Sequence, residues 1–180
     1  RGYKLYWHRS GDGWIEDNKE NIEKHKSQYT RITPVKEGSV FKGRIRFENL
    51  SDVELGALLF ALDLPEGLAH KLGMAKPLGL GSVRITPKLY ISDRKKRYED
   101  LFFEWDKVEE RKDKDTFKKA FESYILKKLN SKEKSIWEIH RMKLLKRMLD
   151  FDGKPSDDKT EYLKLEEFRE RKVLPTPDKV

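Results

Sequence analysis

The residues with the clearest chemical potential lie together in His70-Lys71-Leu72-Gly73-Met74-Ala75-Lys76-Pro77-Leu78-Gly79-Leu80-Gly81-Ser82-Val83-Arg84-Ile85. Three glycines, two lysines and a proline separate a helix-like apolar run from a strand-like one. Glycine allows positive φ and lets a partner approach the backbone closely. Successive N–H groups in such a loop can form a concave anion site, and lysines add charge to it. Gly73, Gly79, Gly81, Lys71 and Lys76 are therefore expected to contact phosphate. The chemistry is not that of a nucleoside-triphosphate loop. Gly73 and Gly79 stand one residue too far apart for GxxxxGK[ST], and Gly79 is followed by Leu80-Gly81. GxGxxG is absent too, because neither Gly11/Gly13 nor Gly79/Gly81 has a glycine three residues further on.

Two other groups could do chemistry. Lys42, Arg44 and Arg46 alternate along one run, and Arg84, Lys88 and Tyr90 along another, which predicts two basic strand faces. Such a face suits a groove wall for an anionic partner, or it is the solvated side of a sheet. Base stacking there would use Tyr90, Tyr6 or Trp7. His8 and His70 are the candidates for a general base. Asp12 and Asp17 are loop carboxylates that no motif aligns with catalysis.

The elements that must position these residues follow from periodicity. Tyr3 to His8 is a short aromatic strand candidate, and 9–38 a long polar loop with a helical turn near 19–26. Val40 to Phe47 is predicted as a strand, with Phe41, Gly43, Ile45 and Phe47 on one face. Ser51-Asp52-Val53-Glu54 is a capping box. The helix it opens, about 52–63, is apolar on several faces and is expected to bury against a sheet. A strand is predicted over 82–91, with Pro87 marking an edge or bulge. Helical spacing continues at 117–125 and again from Ile136 to Leu149. A turn-rich break covers 152–160, a short element 161–172, and an extended end follows.

Composition narrows the partners. The 40 Lys and Arg exceed the 32 Asp and Glu, giving a formal charge of +8, which favours an anionic partner. The excess is even: 16 against 12 in 1–94 and 24 against 20 in 95–180, so +4 in each half. A nucleic-acid site must therefore arise from local arrangement. There are no cysteines and only four scattered histidines, so neither disulfides nor a structural zinc site is expected, and no cofactor is implied. No apolar run approaches the roughly 20 residues of a membrane span.

A strand, a buried helix, a glycine loop and a second strand make half of a ferredoxin-like, RNA-recognition-motif-like unit. At this point the chain resembles the RAMP superfamily (repeat-associated mysterious proteins) of CRISPR effector complexes, closest to type III members. The resemblance covers about residues 40–94, and 1–8 weakly. The family signature reads G-Φ-G, five residues, G-Φ-G. Here Gly73, Gly79 and Gly81 fill three glycine positions, Leu72 and Leu80 the hydrophobic ones, and Lys76 lies in the spacer. Lys71 replaces the first glycine. The Phe-Glu-Asn-Leu-Ser start of the helix adds to the match.

The resemblance implies an α+β protein. Its ferredoxin-like RAMP core, a single or partial unit, would occupy 1–94, with a charged, mostly helical addition at 95–180. It implies a cytoplasmic RNA-binding subunit of a ribonucleoprotein in antiviral defence. CRISPR RNA or target RNA would be held through the glycine loop, together with Arg84, Lys42, Arg44 and Arg46. Other effector subunits would be partners, and no membrane would be involved. The alternatives are a metal-independent CRISPR RNA endoribonuclease using His8 or His70 as the base near a 2′-hydroxyl, and a scaffold subunit without RNA affinity of its own.

Overall fold

The computed structural model describes residues 4–10, 15, 18–92, 94–99, 109–111, 113–160 and 165–180; Tyr3, Asp12 and Asp17 lie outside them. The described chain mixes helices with small antiparallel sheets, an α+β arrangement. It forms two compact units, and each draws on segments from both sides of position 94. One comprises 1–46, 66–84 and 140–180; the other comprises 47–65 and 85–139.

In the second unit, α2 (Asp52–Leu62) starts as its sequence dictates. The Ser51 hydroxyl accepts from the Glu54 N–H at 3.4 Å, and Glu54 accepts from the Ser51 N–H at 2.8 Å. The expected sheet partner is only part of the outcome, because α2 packs chiefly on α4 (Lys114–Lys128). Leu55 and Leu59 of α2, Phe117 of α4 and Leu89 form the buried cluster. Leu89 belongs to β3 (Leu89–Ile91), which pairs antiparallel with β4 (Glu109–Arg111). Phe60 stacks on Trp137 at 5.0 Å and tilts against Phe121 at 5.4 Å. The predicted helix 136–149 is divided. A 3-10 turn spans Ile136–Glu138, Ile139 is extended, and α5 (His140–Leu149) starts where the first unit resumes.

The first unit is built around a short hairpin of β1 (His70–Lys71) and β2 (Ser82–Val83). The predicted strand 82–91 is thus two strands with different partners, β1 for one and β4 for the other, with Pro87 between them. Leu68 bridges to Asp150 just beyond α5, and the Ala69 N–H donates to Leu149 O at 2.9 Å. α1 (Lys19–Lys24), capped by Asn18, answers the turn expected near 19–26, and α6 (Leu165–Arg169) falls in the short element near the end. Two strand expectations fail. Residues 4–10 form no regular element, and 40–47 is assigned no strand. Alternation supplies a strand with faces but not with a partner, and no described element pairs with 40–47.

Gly56 fixes the α2–α4 approach. A β-carbon there would sit 2.0 Å from the Phe117 carbonyl oxygen and 2.9 Å from Phe121 Cβ. Alanine in place of glycine on an exposed helix face stabilises by up to about 1 kcal/mol. Here the backbone contact reverses the sign, and Gly56→Ala should cost about 2 kcal/mol, in the range of overpacked cores. Urea unfolding of the two proteins measures this; an unchanged or higher midpoint would show that the helices separate without cost.

Candidate functional site

The glycine loop closes on the hairpin of the first unit. Lys71 faces Ser82 and His70 faces Val83 across the two strands, and the Leu72 N–H donates to Gly81 O at 2.8 Å. Gly81 adopts φ +78°, and a β-carbon there would lie 1.9 Å from Leu72 O, so the site requires glycine. Gly79 is at φ +106°, with Arg9 Cβ 3.0 Å from where its own Cβ would be. Between them Lys76–Leu78 makes a 3-10 turn preceded by Ala75 in the left-handed region. Gly73, at φ +91°, has open space around it.

Both loop lysines bond within the loop. The Lys71 ammonium donates to the carbonyls of Gly79 (2.7 Å) and Leu80 (3.1 Å), and Lys76 donates to Gly73 O. Burial, together with the charge of Arg9, lowers Lys71 to a pKa of about 8.

His8 is wholly buried beneath the hairpin. Its Nε2 lies 3.1 Å from Ala69 O and its Nδ1 2.8 Å from Ser82 Oγ. A carbonyl only accepts, so Nε2 carries the proton and donates to it, while Nδ1 accepts from the serine hydroxyl. Phe151 meets the imidazole edge to face at 5.4 Å. Burial, then the charges of Lys71 and Lys154, lower the His8 pKa and outweigh the raising effect of Ala69 O. Both ring nitrogens are occupied and the side chain is 0% exposed, so His8 does not present a base to a 2′-hydroxyl. His70 is half-buried in β1.

Arg9, Lys71 and Lys154 thus gather around the base of the loop. Asp157 alone among their described carboxylate partners answers this charge. Its Oδ1 lies 3.8 Å from Arg9 Nε and accepts the Ser10 N–H at 3.1 Å. Lys154 sits 4.5 Å above the Phe151 ring. Arg84 is exposed directly after β2. Lys42, Arg44 and Arg46 are exposed on 40–47, and among the described residues no hydrogen bond or ion pair joins them to the hairpin. Sequence reasoning missed Arg9, Lys154 and Ser82 and did not place Asp157 beside Arg9, since nothing in 152–160 signalled an approach to residues 8–10.

Among the described residues, no cluster of three or more His, Asp or Glu offers a metal site, and no helix is long and apolar enough to cross a membrane. An open groove of about 320 Å³ in the second unit is lined by Phe60, Asp63, Lys118, Glu122 and Trp137. Its acidic side chains Asp63 and Glu122 are paired within it. Asp63 binds Lys114 (2.8 Å) and Lys118 (3.0 Å), and Glu122 accepts from Ser135 Oγ and the Ile136 N–H. No protein-family model and no curated protein sequence matches the chain.

His8 gives a pH signature. Its folded pKa lies below the ordinary 6.5, so the unfolded chain binds more protons as pH drops past 6.5. The associated stability is complete above that pH and lost on acidification. Thermal melts from pH 7.5 to 5 should fall more steeply for the parent protein than for His8→Gln, which has nothing to titrate. Equal slopes would mean that position 8 titrates as an open imidazole.

Proposed function

We propose that this chain is an RNA-binding subunit of a CRISPR-associated, type III-like ribonucleoprotein, with a ferredoxin-like RAMP core whose glycine loop holds the RNA backbone. The observation that carries this reading is the cationic cluster of Arg9, Lys71 and Lys154 at the base of a loop with left-handed turns at 73, 75, 79 and 81. A half-buried lysine whose charge is disfavoured by burial and by a neighbouring arginine favours an anion nearby, and left-handed turns expose backbone N–H groups to one. Sugar–phosphate contacts of this kind position RNA without reading its bases.

The lysine signature of the loop differs from a simple surface patch. Lys71 braces the Gly79 and Leu80 carbonyls, and its charge is lost as pH rises through about 8. It therefore shapes the loop and contributes field rather than a swinging contact. Arg84 and the exposed cations Lys42, Arg44 and Arg46 extend the positive surface available to a longer strand. The endoribonuclease alternative loses His8, whose nitrogens are both engaged in burial, and keeps only His70.

Fluorescence anisotropy of a labelled single-stranded RNA tests the reading. If about three phosphates are neutralised, log K should fall with log salt at a slope of about −2, because each contributes about −0.7 on a single strand. Affinity should also weaken between pH 7 and 9 as Lys71 loses its proton, and Lys71→Arg should keep its affinity at pH 9. Absence of binding at low salt, or binding indifferent to salt, would remove RNA from the account.

A further inference from the structure

The segment 40–47 has the pattern of a strand and none of its bonds. Among the described residues, no backbone hydrogen bond engages it. Its apolar side chains stand in water: Val40 is 84% exposed, Phe41 80%, Ile45 57% and Phe47 37%. Lys42, Arg44 and Arg46 alternate with them and are exposed as well. A run with strand alternation, with no backbone partner among the described residues and with Phe41, Ile45 and Phe47 at alternate positions, has the chemistry that adds to an open sheet edge. Eight residues at about 3.3 Å each give a strand of roughly 26 Å, longer than the usual five or six residues of an edge.

The charge pattern selects the partner. On a shared sheet face, residues directly opposite one another interact, and like charges there destabilise the pair. A second copy of this chain in antiparallel register would set Lys42, Arg44 and Arg46 against one another. A strand with carboxylates on one face and β-branched residues on the other would answer both faces at once. We infer that residues 40–47 add as an edge strand to the open sheet of a partner protein, whose edge strand alternates acidic and apolar residues. The apolar face of Phe41, Ile45 and Phe47 covers the partner's core face, and the cations pair with its carboxylates. This interaction is separate from the glycine loop and stands whether or not that loop binds RNA.

The probe is a capped ten-residue peptide that alternates valine and glutamate, added to the full chain. Hydrogen–deuterium exchange should show protection of alternate amides within 40–47, with the rest of the chain unchanged. Phe41→Ser/Ile45→Ser keeps all three cations and alters only exposed side chains, and it should weaken the peptide at least tenfold while leaving RNA affinity unchanged. Lys42→Glu/Arg44→Glu/Arg46→Glu should switch preference to a valine–lysine peptide. Three results would overturn the inference: exchange in 40–47 unaffected by the peptide, peptide binding that survives the double serine variant, or protection of 40–47 by single-stranded RNA or by self-association at raised protein concentration in place of the peptide.

Discussion

A carbonyl oxygen lies 1.9 Å from the point where a β-carbon on residue 81 would stand. That close approach, open only to glycine, lets the Leu72 N–H reach Gly81 O and sets the register in which Lys71 faces Ser82. Register then decides everything beneath the loop. It aims the Ser82 hydroxyl at His8 Nδ1, and it places the Lys71 ammonium within reach of two carbonyls on the returning strand. A slip by one residue would turn Ser82 to the opposite face and leave the buried imidazole with an unsatisfied nitrogen.

A two-residue pairing has little stability of its own. The hairpin is held by residues distant in sequence. Ala69 donates to Leu149 O, Phe151 donates to Gly67 O, and His8 bonds to both Ala69 and Ser82. The imidazole is a cross-link, and burial holds it neutral, with Nδ1 accepting from the Ser82 hydroxyl. The neighbouring cations Lys71 and Lys154 reinforce that neutrality. Burial is the main cause of that neutrality, and the cations at the loop base add to it.

Local signals were legible and long-range ones were not. The capping box at Ser51 and Glu54 is spelled within four residues, and α2 begins there. Helical spacing at Phe117, Phe121 and Tyr124 likewise marks α4. The glycine loop was readable as a loop, with its left-handed positions at 73, 79 and 81. Its lysines were expected to face solvent phosphate, yet both bond to loop carbonyls, because a nearby acceptor wins over water once the stem is half-buried. His8 pairs with a serine 74 residues away, and Arg9 meets an aspartate in a segment that reads only as a turn. Single-sequence patterns carry no information about which loop returns to which.

The segment 40–47 shows the limit from the other side. Its alternation is as regular as that of any strand in the chain, whereas β1 and β2 are paired at only two positions each. Pairing therefore does not follow the strength of the pattern; it follows the availability of a partner with a free edge and a matching face. Burying Phe41, Ile45 and Phe47 would release apolar surface from water, but among the described residues no element pairs with 40–47, and these side chains stay solvated. A sequence that maintains three aromatic or β-branched residues in register with three cations, all exposed, is consistent with a surface whose complement is another molecule, and the like charges along it exclude a copy of itself.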